Sequence, residues 1–167
     1  MPPTPHRERI DSMDDRVLVI GLGSPIMSDD AVGLKVVEEL EALHLPHVIT
    51  QQEAIGGLDI IPMVIDHRKG IIVDAIQTFR CPPGTITVMD PDDFQHTISP
   101  SSAHEMNLPT AMHLGRQLEP ERMPEQVRFV AIEVEDLLTV SEEMTSAVLS
   151  AVPEALATVL RLIDEMA

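Results

Sequence analysis

Residues 16–33 read RVLVIGLGSPIMSDDAVG, and the fold is decided there. Arg16 to Leu22 is a short, β-branched apolar run ending in Gly21-Leu22-Gly23. A strand buried on both faces of a parallel sheet has this unbroken apolar character and feeds such a turn. Past the loop, residues 30–43 place Val32, Val36, Val37, Leu40 and Leu43 at helical spacing, with Ser28 or Asp29 as the expected N-cap.

The alternation continues downstream. Pro46 breaks the chain and residues 47–51 read as a second strand. Gly56-Gly57 opens a short apolar helix over 58–65, and GIIVDA at 70–75 is the clearest central strand. Pro82-Pro83-Gly84 marks a turn before an alternating strand at 85–89. Residues 90–102 are polar and expected to form an irregular loop, with Ser101 or Ser102 capping a helix over 104–115. Residues 126–133 form the last strand, and 141–167 are one long helix or a pair restarted at Pro153. Strands alternating with helices give an α/β, single-domain, three-layer architecture: a mainly parallel twisted sheet with helices on both faces. It is expected over residues 16–167, behind a disordered leader at 1–15.

Composition narrows the function. The chain has 167 residues, 11 Lys+Arg against 28 Asp+Glu, and a formal net charge of −17. Such a surface repels phosphate backbones and anionic lipid heads, so neither a nucleic-acid nor a membrane partner is expected. The one cysteine, Cys81, excludes an intramolecular disulfide framework. No apolar run is read as approaching the ~20 residues of a membrane span, and no secretory signal is read at the start. A soluble, cytoplasmic protein is the expectation.

In doubly wound sheets the functional rim lies at the carboxyl ends of the strands. Asp29 and Asp30 follow the first strand, and Glu53, Gly56 and Gly57 follow the second. Asp74 ends the central strand, and His104 lies in the loop entering the later helix. Glu133, Glu135 and Asp136 follow the last strand and read as solvated charge. On position alone, helix capping is the stronger reading of Asp29 and Asp30. Asp74 is harder to dismiss, because a carboxylate directly after Ile71-Ile72-Val73 needs a partner, donors or a metal. His104 and the other histidines, His67 and His113 among them, each suit an ordinary surface role. As a set, Asp30, Asp74 and His104 come from three loops on one rim. Two carboxylates and an imidazole suit nickel, zinc, iron or manganese, with no choice among them.

Other chemistries fit less well. A dinucleotide loop needs a third glycine where Ile26 stands. No Gly-x-Ser-x-Gly elbow occurs, and Cys81 beside Pro82 reads as a turn residue. The ten methionines are core filler in a chain without Trp or Tyr.

The run from Leu18 to Gly33 resembles the opening motif of the NiFe-hydrogenase maturation endopeptidases: a glycine turn, a short loop, an acidic pair, then a small residue, an aliphatic one and Gly. Ile71-Ile72-Val73-Asp74-Ala75 is similar to that family's second motif, and Ser102-Ala103-His104 with Leu108 to its third. The resemblance runs from about Arg16 to the final helix. It implies a sheet of about five strands and one cut that removes a C-terminal extension from the hydrogenase large-subunit precursor after nickel insertion. It implies Asp30, Asp74 and His104 as the metal-site and catalytic residues, recognising nickel held by the substrate, with zinc or cadmium able to substitute in vitro. Asp29 and Glu53 are candidate proton carriers, and Gly56 and Gly57 candidate substrate-positioning residues. Two departures stand out. The first ligand is often Glu in that family, and the loop after strand two often Asp-Gly-Gly-Thr, where this chain has Asp30 and Gln52-Glu53-Ala54-Ile55-Gly56-Gly57. The alternatives are a non-catalytic nickel-checking chaperone of the precursor and a Rossmann-like dinucleotide binder.

Overall fold

The computed structural model describes residues 13–54, 57–93 and 103–167, with backbone only at 57–58 and 103–107. Most of the expected leader, the capping serines 101 and 102, most of the 90–102 loop and Gly56 lie outside the described residues. Residues 91–93 of that loop are helical. Met13 is buried, and the strand expected to begin at Arg16 begins at Asp14.

β1 (Asp14–Leu22) is buried from Val17 to its end, as an interior parallel strand must be. A 3-10 turn (Ser28–Ala31) leads into α1 (Val32–Glu41) and then β2 (Val48–Glu53). A second 3-10 turn (Gly57–Ile60) and the short α2 (Ile61–Val64) precede β3 (His67–Ile76). β4 (Ile86–Met89), α3 (Ala103–Leu118), β5 (Gln126–Glu133) and α4 (Ser146–Met166) complete the described order. The strands form one five-stranded sheet in the order β2-β1-β3-β5-β4. All pairings are parallel except that of β4 with β5.

Side-chain alternation along the strands sorts the core into two layers. Val17, Val19, Ile71, Val73, Val130 and Ile132 face α1 and α4. Leu18, Ile20, Ile72 and Phe129 face Ile60, Val64 and, from α3, Leu108 and Met112. Each side chain buried this completely contributes about 1.5–3 kcal/mol by transfer from water. The three-layer α/β arrangement is therefore as the sequence indicates.

Three local readings change. The first helix has no side-chain cap: Ser28 sits at φ 50° inside the 3-10 turn, and α1 starts at Val32. The C-terminal segment is one helix with Pro153 on its exposed face, where solvent reaches the carbonyl left without a donor. That helix also corrects the expectation about apolar runs, since by length and composition α4 suffices to cross a membrane. In the fold its apolar stripe, including Val148, Val152, Ala155, Val159 and Leu162, lies in the core.

Candidate active site

The chain leaves β1 for β2 on one side and returns to β3 on the other, so the topological switch point lies between the carboxyl ends of β1 and β3. Asp30 and Asp74 belong to the segments that meet there. Gly23 lies at φ 144°, and a Cβ on it would stand 1.9 Å from the carbonyl oxygen of Asp30. The loop after β1 thus folds back on itself in a way only glycine permits. Asp30 Oδ2 accepts the Ser24 amide at 2.8 Å, and the Asp30 amide donates to Met27 at 3.1 Å. The half-buried Asp30 carboxylate is fixed by its own loop.

Asp74 is also half-buried. The last β1–β3 pair is Gly21 with Val73, so Asp74 stands just beyond the reach of β1 while still paired with Ala131 of β5. It shares a strand face with Ile72 and Ile76, toward α3, and lines a small hollow with Leu108 and Phe129. Its Oδ1 accepts the Ala75 amide at 2.8 Å. The 3-10 turn carrying Asp30 packs against β3 because Gly21 and Gly33 remove two side chains from the crossing.

His104 lies in the first turn of α3, one turn before the buried Leu108. α3 begins at this rim and ends at the opposite edge, from which β5 starts. The structure thus brings the helix turn bearing His104 to the edge that holds Asp74, while the imidazole lies outside the described side chains. Among the described residues no three His, Cys, Asp or Glu side chains form a set that would hold a metal ion. Two carboxylates with an imidazole remain a donor set suited to a borderline divalent ion. Glu53 ends β2, is exposed, and accepts the Gly23 amide on its backbone oxygen at 3.2 Å. Gly57 opens the second 3-10 turn.

Two carboxylates read from the sequence as a helix cap and as solvated charge, Asp29 and Glu133, are buried. Asp29 is 0% exposed, and its oxygens accept the amides of Glu135 (3.0 Å), Asp136 (2.9 Å) and Thr145 (2.7 Å) as well as the Thr145 hydroxyl. It caps the residue before α4, not its own helix, and so ties the β5–α4 loop to the 3-10 turn. Glu133, expected to be solvated, is buried; it accepts the Thr78 amide at 2.8 Å and the Thr78 hydroxyl. With Thr78, Cys81 and Met89 it borders a cavity of about 80 Å³. The one signal that sets Glu133 apart from Glu135 and Asp136 is that it falls inside the strand expected over residues 126–133. Asp136 holds the tip of the β5–α4 loop: the Thr139 hydroxyl, then the Thr139 and Leu138 amides, keep its carboxyl below the usual range. His67, expected at the surface, is half-buried on β3.

These features define an α/β protein with two half-buried carboxylates, and a histidine-bearing helix turn, at the switch point of a mainly parallel sheet. The family model for hydrogenase maturation protease (HycI) matches residues 34–162, which include Asp74 and His104 and begin just after Asp30. The chain belongs to the hydrogenase maturation protease family. It is 28% identical over 99 residues to the hydrogenase 2 maturation protease of Escherichia coli K12, covering 56% of this chain and 58% of that one. It is 24% identical over 155 residues to the hydrogenase expression/formation protein HupD of Rhizobium leguminosarum bv. viciae, covering 89% and 74%. The chain thus spans less than two thirds of the first relative's length. The structure of the hydrogenase maturating endopeptidase HybD from E. coli superposes with a TM-score of 0.74 at 26% identity, over 90% of this chain and 93% of that one.

Proposed function

We propose that this protein is an endopeptidase that removes the C-terminal extension of a NiFe-hydrogenase large-subunit precursor, and that the nickel in that precursor is its recognition element. The observation that supports this reading is that the segments carrying Asp30 and Asp74 pack together at the switch point, with the α3 turn bearing His104 at the same edge. Asp30, Asp74 and His104 contact the substrate-borne nickel, and zinc or cadmium replaces it in vitro. Once the metal is seated, the scissile amide is fixed beside the rim, and such positioning supplies several kcal/mol of barrier lowering. Hydrolysis then adds water across the C–N bond, releasing the mature carboxyl terminus and the amine of the extension. Both Asp29 oxygens are occupied by the β5–α4 loop, so the exposed Glu53 is the better carrier for the proton. Gly56 and Gly57 lie on the connection after β2 and seat the substrate backbone. The reaction takes place in the cytoplasm, with neither nucleic acid nor membrane as partner.

The test is His104→Ala in the full chain, assayed on nickel-loaded precursor by intact mass. The expected result is loss of shortening with an unchanged melting temperature. Processing at the wild-type rate contradicts the site. Precursor that is bound but never cut, in every metal state and by wild type too, identifies the chaperone instead.

A further inference from the structure

The rim exposes apolar side chains that folding does not explain. Among the described residues the three most exposed large hydrophobics are Leu138 (89%), Phe79 (81%) and Val140 (74%). All three follow the carboxyl ends of β3 or β5, and Ile26, 51% exposed, follows that of β1. They therefore share the edge that carries Asp30 and Asp74.

The segments that display them are tightly held. The β5–α4 loop is zipped to the loop after β1: the Ser141 amide donates to Ile26 and the Ser28 amide to Ser141, both at 2.9 Å. Asp29 fixes the same loop from beneath. Phe79 lies at φ 58°, a conformation costly for an aromatic residue, on the turn anchored through Thr78 to buried Glu133. Gln77 Nε2 donates to the Glu135 carbonyl at 3.0 Å and joins the two segments. Each of the two buried carboxylates at this edge thus supports an exposed apolar tip. Rigid loops that present apolar side chains lose little entropy when a partner covers them, and large apolar side chains left exposed on linked loops of one edge suit an interaction surface.

The charge around the patch selects the partner. Residues 133–143, EVEDLLTVSEE, hold five carboxylates and no basic residue; Glu133 is buried, Glu135, Glu142 and Glu143 are exposed, and the exposed Arg80 beside Phe79 is outnumbered by them. We propose that Leu138, Val140, Ile26 and Phe79 form a docking lip for the folded body of the precursor, at a surface of that protein where apolar side chains are bordered by lysine and arginine. The proposal rests on the functional reading above and adds the site of protein–protein contact to it.

The test compares steady-state processing of nickel-loaded precursor by the wild-type chain, L138E/V140E, the milder L138S/V140S, and L118S as a control at the far end of α3, where Leu118 is also exposed. Melting temperatures verify folding, and the serine pair stands in if the glutamates perturb it. The expected result is a KM raised about tenfold in both rim pairs with kcat little changed, and a control like wild type. A KM within about twofold of wild type in the rim pairs overturns the docking lip and leaves the protease reading intact. A wild-type chain that neither binds nor cuts the precursor overturns the functional reading and this proposal with it.

Discussion

Gly33 of α1 lies against the carbonyl of Val73 so closely that a Cβ on it would stand 2.5 Å from that oxygen and 2.7 Å from the carbonyl of Leu22. The contact joins the helix start to the strand residue directly before Asp74, so one glycine sets how near the two acidic segments come. Neither neighbour is a flexible side chain; both are backbone in the centre of the sheet. Gly33→Ala should therefore destabilise the fold by about 1–3 kcal/mol or more. Urea denaturation measures this, and a midpoint equal to wild type would show that the crossing relaxes freely.

Asp29→Ala leaves the amides of Glu135, Asp136 and Thr145 facing a space without their acceptor. These amides are only partly buried and water can reach some of them, so losing their shared charged acceptor predicts a loss of about 1–3 kcal/mol in all. Asp29→Asn keeps one acceptor oxygen and should retain part of the stability. If both variants melt like wild type, Asp29 does not hold the β5–α4 loop.

Asp14 tests the pH dependence of the sheet edge. The Arg16 guanidinium, with Nε at 3.1 Å and Nη2 at 2.7 Å from its oxygens, holds its carboxyl down to about 2. The folded value lies below the ordinary value of about 3.9. The stability this pair contributes is therefore complete above about pH 4 and is lost as the pH falls toward about 2. Both side chains are partly exposed, so the whole effect is about 1 kcal/mol or less. Comparing wild type with Asp14→Asn by chemical denaturation from pH 6 to pH 2 should show a difference that shrinks to a small fraction of its neutral value at the acid end. A difference that stays constant across that range would contradict the assignment.

The strands and their parallel order are written in the chain because buried strands need unbroken apolar runs, as at Val17–Leu22 and Ile71–Val73. Residues 126–133 coincide with β5 end to end. The rim positions of Asp30 and Asp74 follow from the same alternation. What stayed hidden depends on contacts distant in sequence. Asp29 meets Thr145 across 116 positions, and Glu133 meets Thr78 across 55. Local propensity says capping residue for the first and solvated charge for the second, because it contains no record of which loops meet over the sheet edge. The start of α1 shifted for a related reason: the close Gly21–Gly33 crossing, not an N-cap side chain, decides where the helix begins.

We propose above all that substrate-borne nickel is read by Asp30, Asp74 and His104. The most direct measurement mixes the purified full chain with its large-subunit precursor, prepared with and without nickel, and follows the C-terminus by intact mass spectrometry. The predicted result is shortening of the nickel-loaded form only, by the mass of one extension. Equal shortening of the nickel-free precursor would contradict the claim, because the three residues would then not be reading the metal.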